Sequence, residues 1–283
     1  MKLGSTEHKE LFCRSFIDTH LQWEPNTLPW PQLDSTSLER LRAIPFWLEA
    51  LYKERNAGMM VKAFAATLGD PLLRQAALQG EEESRHARLI EFLINQYDIK
   101  ISEPAAEETP REMEAAFIDF GFGECLDSFF AFGMFAIARQ VHYLPASLFT
   151  IFDPILDEEA RHIVFFINWV NYLQIQRGHG LAVFRAAHSL WHYIKALQIL
   201  IRTFKGNEER EEEGFAISGA STFMDGLTPE LFISTCLTEN AKRMSRFDPR
   251  LLQPRFIPSL SKAALGILKR LPWRQPKPAV QQS

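Results

Sequence analysis

Cysteine is scarce in this sequence. Cys13, Cys125 and Cys236 are widely separated and form no CxxC pair. A disulfide-built fold is excluded, and a reducing, cytoplasmic setting is expected. A surplus of positive charge is also lacking: 31 Lys and Arg against 35 Asp and Glu give a net charge of -4. Without a broad basic field, nucleic-acid binding is not expected. No apolar run follows Met1-Lys2-Leu3-Gly4, so no signal peptide is expected. The Phe-rich stretch 117–138 is interrupted by Asp119, Glu124 and Asp127, which argues against a membrane span. Alternating runs bounded by turn residues are missing too, so nothing demands a sheet.

What is present is a large apolar complement, 46% of 283 residues with 23 Phe, enough for a thick core. Proline and glycine divide the chain into helical segments. Residues 1–45 read as a lead-in, with a short helix and then a second one capped by Ser35 or Ser37 with Glu39 in its first turn. A main first helix follows at about 46–68. Asp70-Pro71 is a cap-plus-first-turn pair opening a second helix, 71–97. Residues 98–110 read as a connector, compatible with a long crossover or a simple hairpin. A third helix runs over about 111–142 and is broken by Pro145. Asp153-Pro154 opens a fourth, to about 176. A fifth helix at 181–204 completes a unit spanning 46–205. Residues 206–283 hold a charged loop from Asn207 to Glu213, a sixth helix from Thr228-Pro229 to about 246, and a tail after Pro254 and Pro258. The stretch from Leu265 to Arg274 mixes apolar and basic residues and is expected to be a packed or frayed tail, with membrane contact not expected. The fold class is all-α.

One internal repeat carries chemistry. Residues 82–86 are Glu-Glu-Ser-Arg-His and residues 158–162 are Glu-Glu-Ala-Arg-His. A bare Glu-x-x-His is expected roughly once by chance, whereas two copies sharing the leading Glu and the Arg are on the order of one in a hundred thousand. Residues i and i+3 share a helix face. Glu83 and His86 therefore reach one point, as do Glu159 and His162. A carboxylate with a neutral imidazole suits iron, manganese or zinc. Two divalent ions need further carboxylates, and Glu54 and Glu124 on the other long helices supply them. Glu49 is an alternative to Glu54 on the first helix. Ala57, Gly58, Gly80 and Gly121 lie one turn from the candidate glutamates and are expected to leave room for metal, water or oxygen.

With these residues the chain resembles the ferritin-like di-iron carboxylate superfamily of ribonucleotide reductase small subunits, bacterial monooxygenases and acyl-carrier-protein desaturases. The resemblance covers about 46–176. It implies a ferritin-like four-helix bundle with additional C-terminal helices, and a metal set of Glu54, Glu83, His86, Glu124, Glu159 and His162. It also implies that Glu82 and Glu158 orient His162 and His86 across the bundle. The cofactors it implies are two iron ions, or a manganese–iron pair, with dioxygen as co-substrate. The implied activity is oxidation of a small or lipid-like organic molecule by hydroxylation, N-oxygenation, desaturation or cleavage. An iron-binding ferroxidase without organic substrate is the alternative. With no CxxC centre, electrons must come from an external donor. A homodimer is compatible with the chain.

Other residues keep open readings. Asp127 is a further ligand, an acid behind the ligands or a solvated group. His188 and His192 share a helix face, which is compatible with a metal, and read first as hydrogen-bonded polar residues. Phe132 and Phe135 line a substrate pocket or belong to the core. Tyr52 and Tyr172 are candidate redox tyrosines.

Overall fold

The computed structural model describes residues 1–76, 78–102, 112–208, 223 and 227–270, the side chains of 76 and 202–208 excepted. The described residues form helices and connecting turns, with no strand among them. The helices are α1 (Thr6–Asp18), α2 (Ser35–Arg42), α3 (Trp47–Thr67), α4 (Pro71–Ala76), α5 (Gln79–Gln96), α6 (Met113–Gln140), α7 (Ala146–Gln176), α8 (Ala182–Glu208), α9 (Pro229–Met244) and α10 (Phe256–Leu268).

Four of them enclose a common core. α3 packs on α5 and α6, and α7 packs on α6 and α5, which closes a ring. Side-chain pairs fix the directions. Arg55 meets Glu91 while Lys62 meets Glu81, so α3 and α5 are antiparallel. Phe64 stacks on Phe117 while Lys53 reaches Asp127, so α3 and α6 are antiparallel. Glu82 meets His162 and Arg85 meets Glu158, so α5 and α7 are antiparallel as well. α5 and α6, consecutive in the chain, are therefore parallel and diagonal in the ring. A hairpin between them is excluded. The 16 residues between Gln96 and Met113 reach up to about 53 Å when extended, more than the about 27 Å length of α5, so a crossover is sterically easy. Residues 103–111 of that connector lie outside the described residues.

Several boundaries differ from the sequence expectation. Asp34, not Ser35 or Ser37, caps α2, its carboxylate accepting from Ser37 N at 2.8 Å. Asp70 does cap a helix, accepting from Leu72 N and Leu73 N. That helix stops at Ala76, and α5 begins afresh at Gln79. Pro154 does not open α7; the helix starts at Ala146 and runs through it. An internal proline costs ~3 kcal/mol. The two turns before it bury Leu148, Phe149, Ile151 and Phe152, each worth about 1.5–3 kcal/mol, so burial outweighs the break. Asp153 instead pairs with Arg139 at 2.5 Å. The region after Pro254 is no simple tail, since α10 forms with Pro258 in its first turn, where a missing N–H is harmless. Of the charged run, Asn207 and Glu208 end α8; Glu209 to Glu213 lie outside the described residues, as do 271–274 of the tail.

The glycines also serve differently. A Cβ on Gly58 would stand 2.4 Å from Ser84 Oγ, and one on Gly80 2.8 Å from Lys62 Cγ. Gly121 would meet the Phe166 ring at 2.2 Å. They bring helices into close contact rather than opening space. α6 is long and apolar enough to cross a membrane, yet it lies at the centre of the bundle, packed on α3, α7, α8 and α9.

Candidate metal centre

The two pentads sit opposite each other on α5 and α7. Each places a Glu and a His one turn apart facing the core, and sends its leading Glu across to the other helix. His86 Nε2 donates to Glu158 Oε2 at 2.8 Å, and His162 Nε2 donates to Glu82 Oε2 at 2.7 Å. All four side chains are buried.

The carboxylates of this pair are surrounded by N–H donors. Glu158 Oε1 accepts from Arg85 Nη2 at 2.5 Å and from Trp23 Nε1 at 3.2 Å. Glu82 Oε1 accepts from Arg161 Nη1 at 2.9 Å and also contacts His20 Nδ1. Burial opposes the Glu82 charge, but hydrogen bonds and charge from His162, Arg161 and His20 outweigh it and hold the group at about 2. An ionised carboxylate only accepts, so each histidine carries its proton on Nε2. The Nδ1 atoms are left pointing inward.

Those Nδ1 atoms are buried and have no hydrogen-bond partner. Carboxylate oxygens surround them without hydrogen-bond alignment. Around His86 Nδ1 stand Glu159 Oε1 at 3.3 Å, Glu54 Oε2 at 3.4 Å and Glu83 Oε2 at 3.6 Å. His162 Nδ1 faces Glu83 Oε1 at 3.0 Å and Glu159 Oε1 at 3.9 Å. One donor atom each from Glu54, Glu83, His86 and Glu159 falls within 4.8 Å of the others. Glu83 and Glu159 stand between the two rings, and Glu124 approaches from α6 beside Glu159. All six candidates therefore converge, four in one tight group, with His162 joined through Glu83 and Glu124 through Glu159.

The cluster gathers several carboxylates and two imidazoles in a buried place, and each shifts the others. Burial pushes Glu54 up to about 8, with His86 opposing and the Glu83 and Glu159 charges adding to the rise. Burial and the Glu159 and Glu83 charges push Glu124 well above the usual range. Burial also resists the Glu83 charge, but the two imidazoles outweigh it and hold that carboxyl well below the usual range. For the histidines, burial opposes the charged ring, yet the carboxylates raise His86 well above its ordinary value and His162 to about 10. The raised groups keep protons that offset the negative charge of their neighbours. No family model, curated protein or solved structure matches this chain.

Some contributors had little or no sequence signal. Gln79 Nε2 donates to Glu83 Oε1 at 3.0 Å, and Ser128 Oγ donates to Glu159 Oε2 at 3.2 Å. Each lies four residues from a candidate glutamate, on its helix face, which was a usable clue. The lead-in is less legible. Arg161 donates to Phe16 O at 2.6 Å and Thr19 Oγ1 at 3.0 Å and lies over the Phe16 ring, while Arg85 lies over Trp23, which stacks on His86. Only the tertiary fold brings these residues to the pentads.

The remaining candidates are placed as follows. Glu49 pairs with Lys53 at 3.2 Å, leaving Glu54 as the inward acid. Asp127 faces Lys53 at 3.7 Å. His192 Nδ1 contacts Asp119 Oδ1 at 2.9 Å, and its ring lies beside His188. Phe132 is core beneath Arg243. Phe135 lines a pocket of about 100 Å³ that Glu54, Glu124 and Glu159 also border, with Trp47 and Phe152 among its apolar walls. Tyr52 borders a separate groove between α3 and α6, and Tyr172 packs near His8 and Phe12.

Proposed function

We propose that this chain is a ferritin-like di-iron oxidoreductase that uses dioxygen to oxidise a small or lipid-like organic substrate. The carrying observation is the pair of orphaned Nδ1 atoms. Each belongs to a buried ring whose other nitrogen is hydrogen-bonded to a buried glutamate, and each looks into a cluster of carboxylates. An unpartnered buried polar atom is costly unless a ligand uses it. The donor set of four carboxylates and two imidazoles fits two divalent ions of the iron or manganese type. The crossover between parallel, diagonal α5 and α6 is the topology of ferritin-like bundles, which supports the same reading.

Glu54, Glu83, His86, Glu124, Glu159 and His162 would hold the metals, with Glu83 and Glu159 shared between the two histidine positions. Two bound iron ions supply the capacity to bind and reduce dioxygen. The chain's own residues do the rest. Glu82 and Glu158 fix the imidazole tautomers and keep Nδ1 free of protons once cations enter. Gln79 and Ser128 orient the Glu83 and Glu159 carboxylates through their hydrogen bonds. Trp23, Phe16 and the lead-in close the outer side of the centre against water. On the opposite side, Trp47, Phe135 and Phe152 line the pocket beside Glu54 and Glu159, where an apolar substrate has access. That pocket favours an organic substrate over iron storage alone.

Anaerobic titration with Fe(II) tests the reading. About two irons should bind per chain, and Glu83→Ala or His162→Ala should empty at least one position. Full retention of two tight ions in both variants would overturn the assignment. Oxygen uptake triggered by an organic substrate would favour the oxygenase, and accumulation of large mineral loads would favour the ferroxidase.

A further inference from the structure

The pocket beside the cluster is too small to hold a whole organic substrate. Its volume is about 100 Å³, whereas pockets for such ligands run to about 300–1,000 Å³. A cavity of about 150 Å³ takes one benzene ring. The part of a substrate that reaches Glu54, Glu124 and Glu159 is therefore slimmer than an aromatic ring, and the rest of the molecule lies elsewhere.

The groove between α3 and α6 adjoins that pocket. Its volume is about 510 Å³, and Lys53, Ala57, Glu124 and Asp127 border both spaces. Its walls are Met59, Met60 and Ala63 on α3 and Ala116, Phe120 and Gly123 on α6, spaced to share one face of each helix. The helices are antiparallel. Ala63 and Ala116 mark one end of the groove, beside the stacked Phe64 and Phe117, and Lys53 and Asp127 mark the other. From Glu124 to Ala116 the groove runs about 12 Å along α6. Over that length no described residue lining it is charged, apart from Glu124 itself.

Gly123 keeps the groove open. No described atom lies within 4 Å of a Cβ built there, whereas a Cβ on Gly121 would strike the Phe166 ring. A glycine inside a helix costs stability, and close packing does not explain this one. Across the groove Met59 is 40% exposed, and methionine adapts to the shape of an apolar ligand. Where the two spaces meet, Lys53 faces Asp127 at 3.7 Å with both side chains partly exposed. An ion pair of that kind is weak and parts for an entering chain.

We propose that the substrate is an unbranched aliphatic chain whose body lies in the α3–α6 groove and whose end turns past Glu124 into the small pocket, with Gly123 setting the width that passes. The inference rests on the cluster being the oxidising centre, and it narrows the substrate from small or lipid-like molecules to linear alkyl compounds.

Calorimetric titration of the metal-free full chain with straight-chain alcohols tests it. Affinity should rise about fourfold with each methylene from hexanol to decanol. Adamantanemethanol, of similar carbon content but too wide for the pocket, should bind at least about tenfold more weakly than decanol. Gly123→Leu should weaken decanol binding at least about tenfold, and so should Met59→Trp, which fills the groove from an exposed position on the opposite wall. Trp191→Glu with Ile194→Glu, on the exposed apolar side of α8, should leave decanol binding unchanged. Absence of saturable decanol binding overturns the proposal, as does adamantanemethanol binding equally well, or decanol binding that neither groove variant weakens. Loss of binding in the α8 variant would place the alcohol on that surface and overturn it equally. The titration contains no metal, so its failure is distinct from failure of the Fe(II) titration. Iron bound by a chain that ignores decanol overturns the groove alone; decanol held by a chain that takes no iron overturns the oxidising centre.

Discussion

Metal entry into the carboxylate–imidazole cluster should expel protons, and their number is set by the groups that hold them. Glu54 at about 8 keeps its proton in about nine of ten molecules at pH 7. His162 at about 10 is protonated almost completely. Both must lose a proton to serve as ligands. At pH 7 those losses cost on the order of 1 and 4 kcal/mol. His86 and Glu124, both raised well above their ordinary values, add to the count. Between two and four protons should therefore leave per pair of ions, and affinity should rise at least about 100-fold per pH unit around neutrality. The assay is anaerobic calorimetric titration of Fe(II) at pH 7 in two buffers of different ionisation enthalpy, which counts the protons directly. Release of fewer than one proton, or an affinity flat between about pH 6 and 8, would falsify the reasoning: the cluster would then not be holding protons in place of cations.

The same groups set the pH profile of the metal-free protein. The folded pKa values of Glu54 and His162 lie above the unfolded ones, so their contribution is complete below the unfolded pKa and is lost as pH rises through about 8 and about 10; chemical denaturation of metal-free protein should show stability falling over that window, and metal should remove the fall. Glu82 behaves oppositely. Held at about 2 when folded, it contributes stability above pH ~4.5 that disappears as pH falls through about 2, so Glu82→Gln should flatten the acid limb and lose about 3 kcal/mol at neutral pH. Glu158→Gln leaves the buried Arg85 without its counter-charge and frees the His86 tautomer; it should cost about 3–5 kcal/mol in urea unfolding and lower Fe(II) affinity about 10–100-fold. Gly121→Ala forces a methyl into the Phe166 ring and should cost about 1–3 kcal/mol, seen as a drop in Tm of a few degrees.

The long helices were legible because their signals are local. Thr228-Pro229 and Asp70-Pro71 mark helix starts by cap chemistry, and the structure caps both. The inward turn of Glu83, His86, Glu159 and His162 was equally legible, since i and i+3 fix a common face wherever the helix lies. Pro154 misled because a local break signal competes with burial of four large side chains upstream, which sequence spacing does not weigh. The glycines misled for a related reason: a missing side chain reads the same whether another helix or a cavity takes the space. His20, Trp23 and Phe16 had no signal because the lead-in finds the pentads only through the docking of α1 on α7.

The repeat itself contains a constraint on topology. Suppose α5 and α7 ran parallel with the pentads level. Glu82 would then face Glu158 and His86 would face His162, placing like with like and leaving each histidine without an acceptor. Reversing one helix about the pentad centre exchanges the ends. The leading Glu of each copy then stands opposite the closing His of the other, which is the pairing observed at 2.7 and 2.8 Å. The middle residues, Ser84 and Ala160, fall near the exchange point, where the sequences are free to differ. The arginines next to each histidine land on the same opposing carboxylates, so each Glu gains an ion pair and a hydrogen bond from one helix. A Glu-Glu-x-Arg-His repeat is thus self-complementary only in the antiparallel sense. With α5 and α7 antiparallel, and each antiparallel to its other neighbour in the ring, α6 must run parallel to α5.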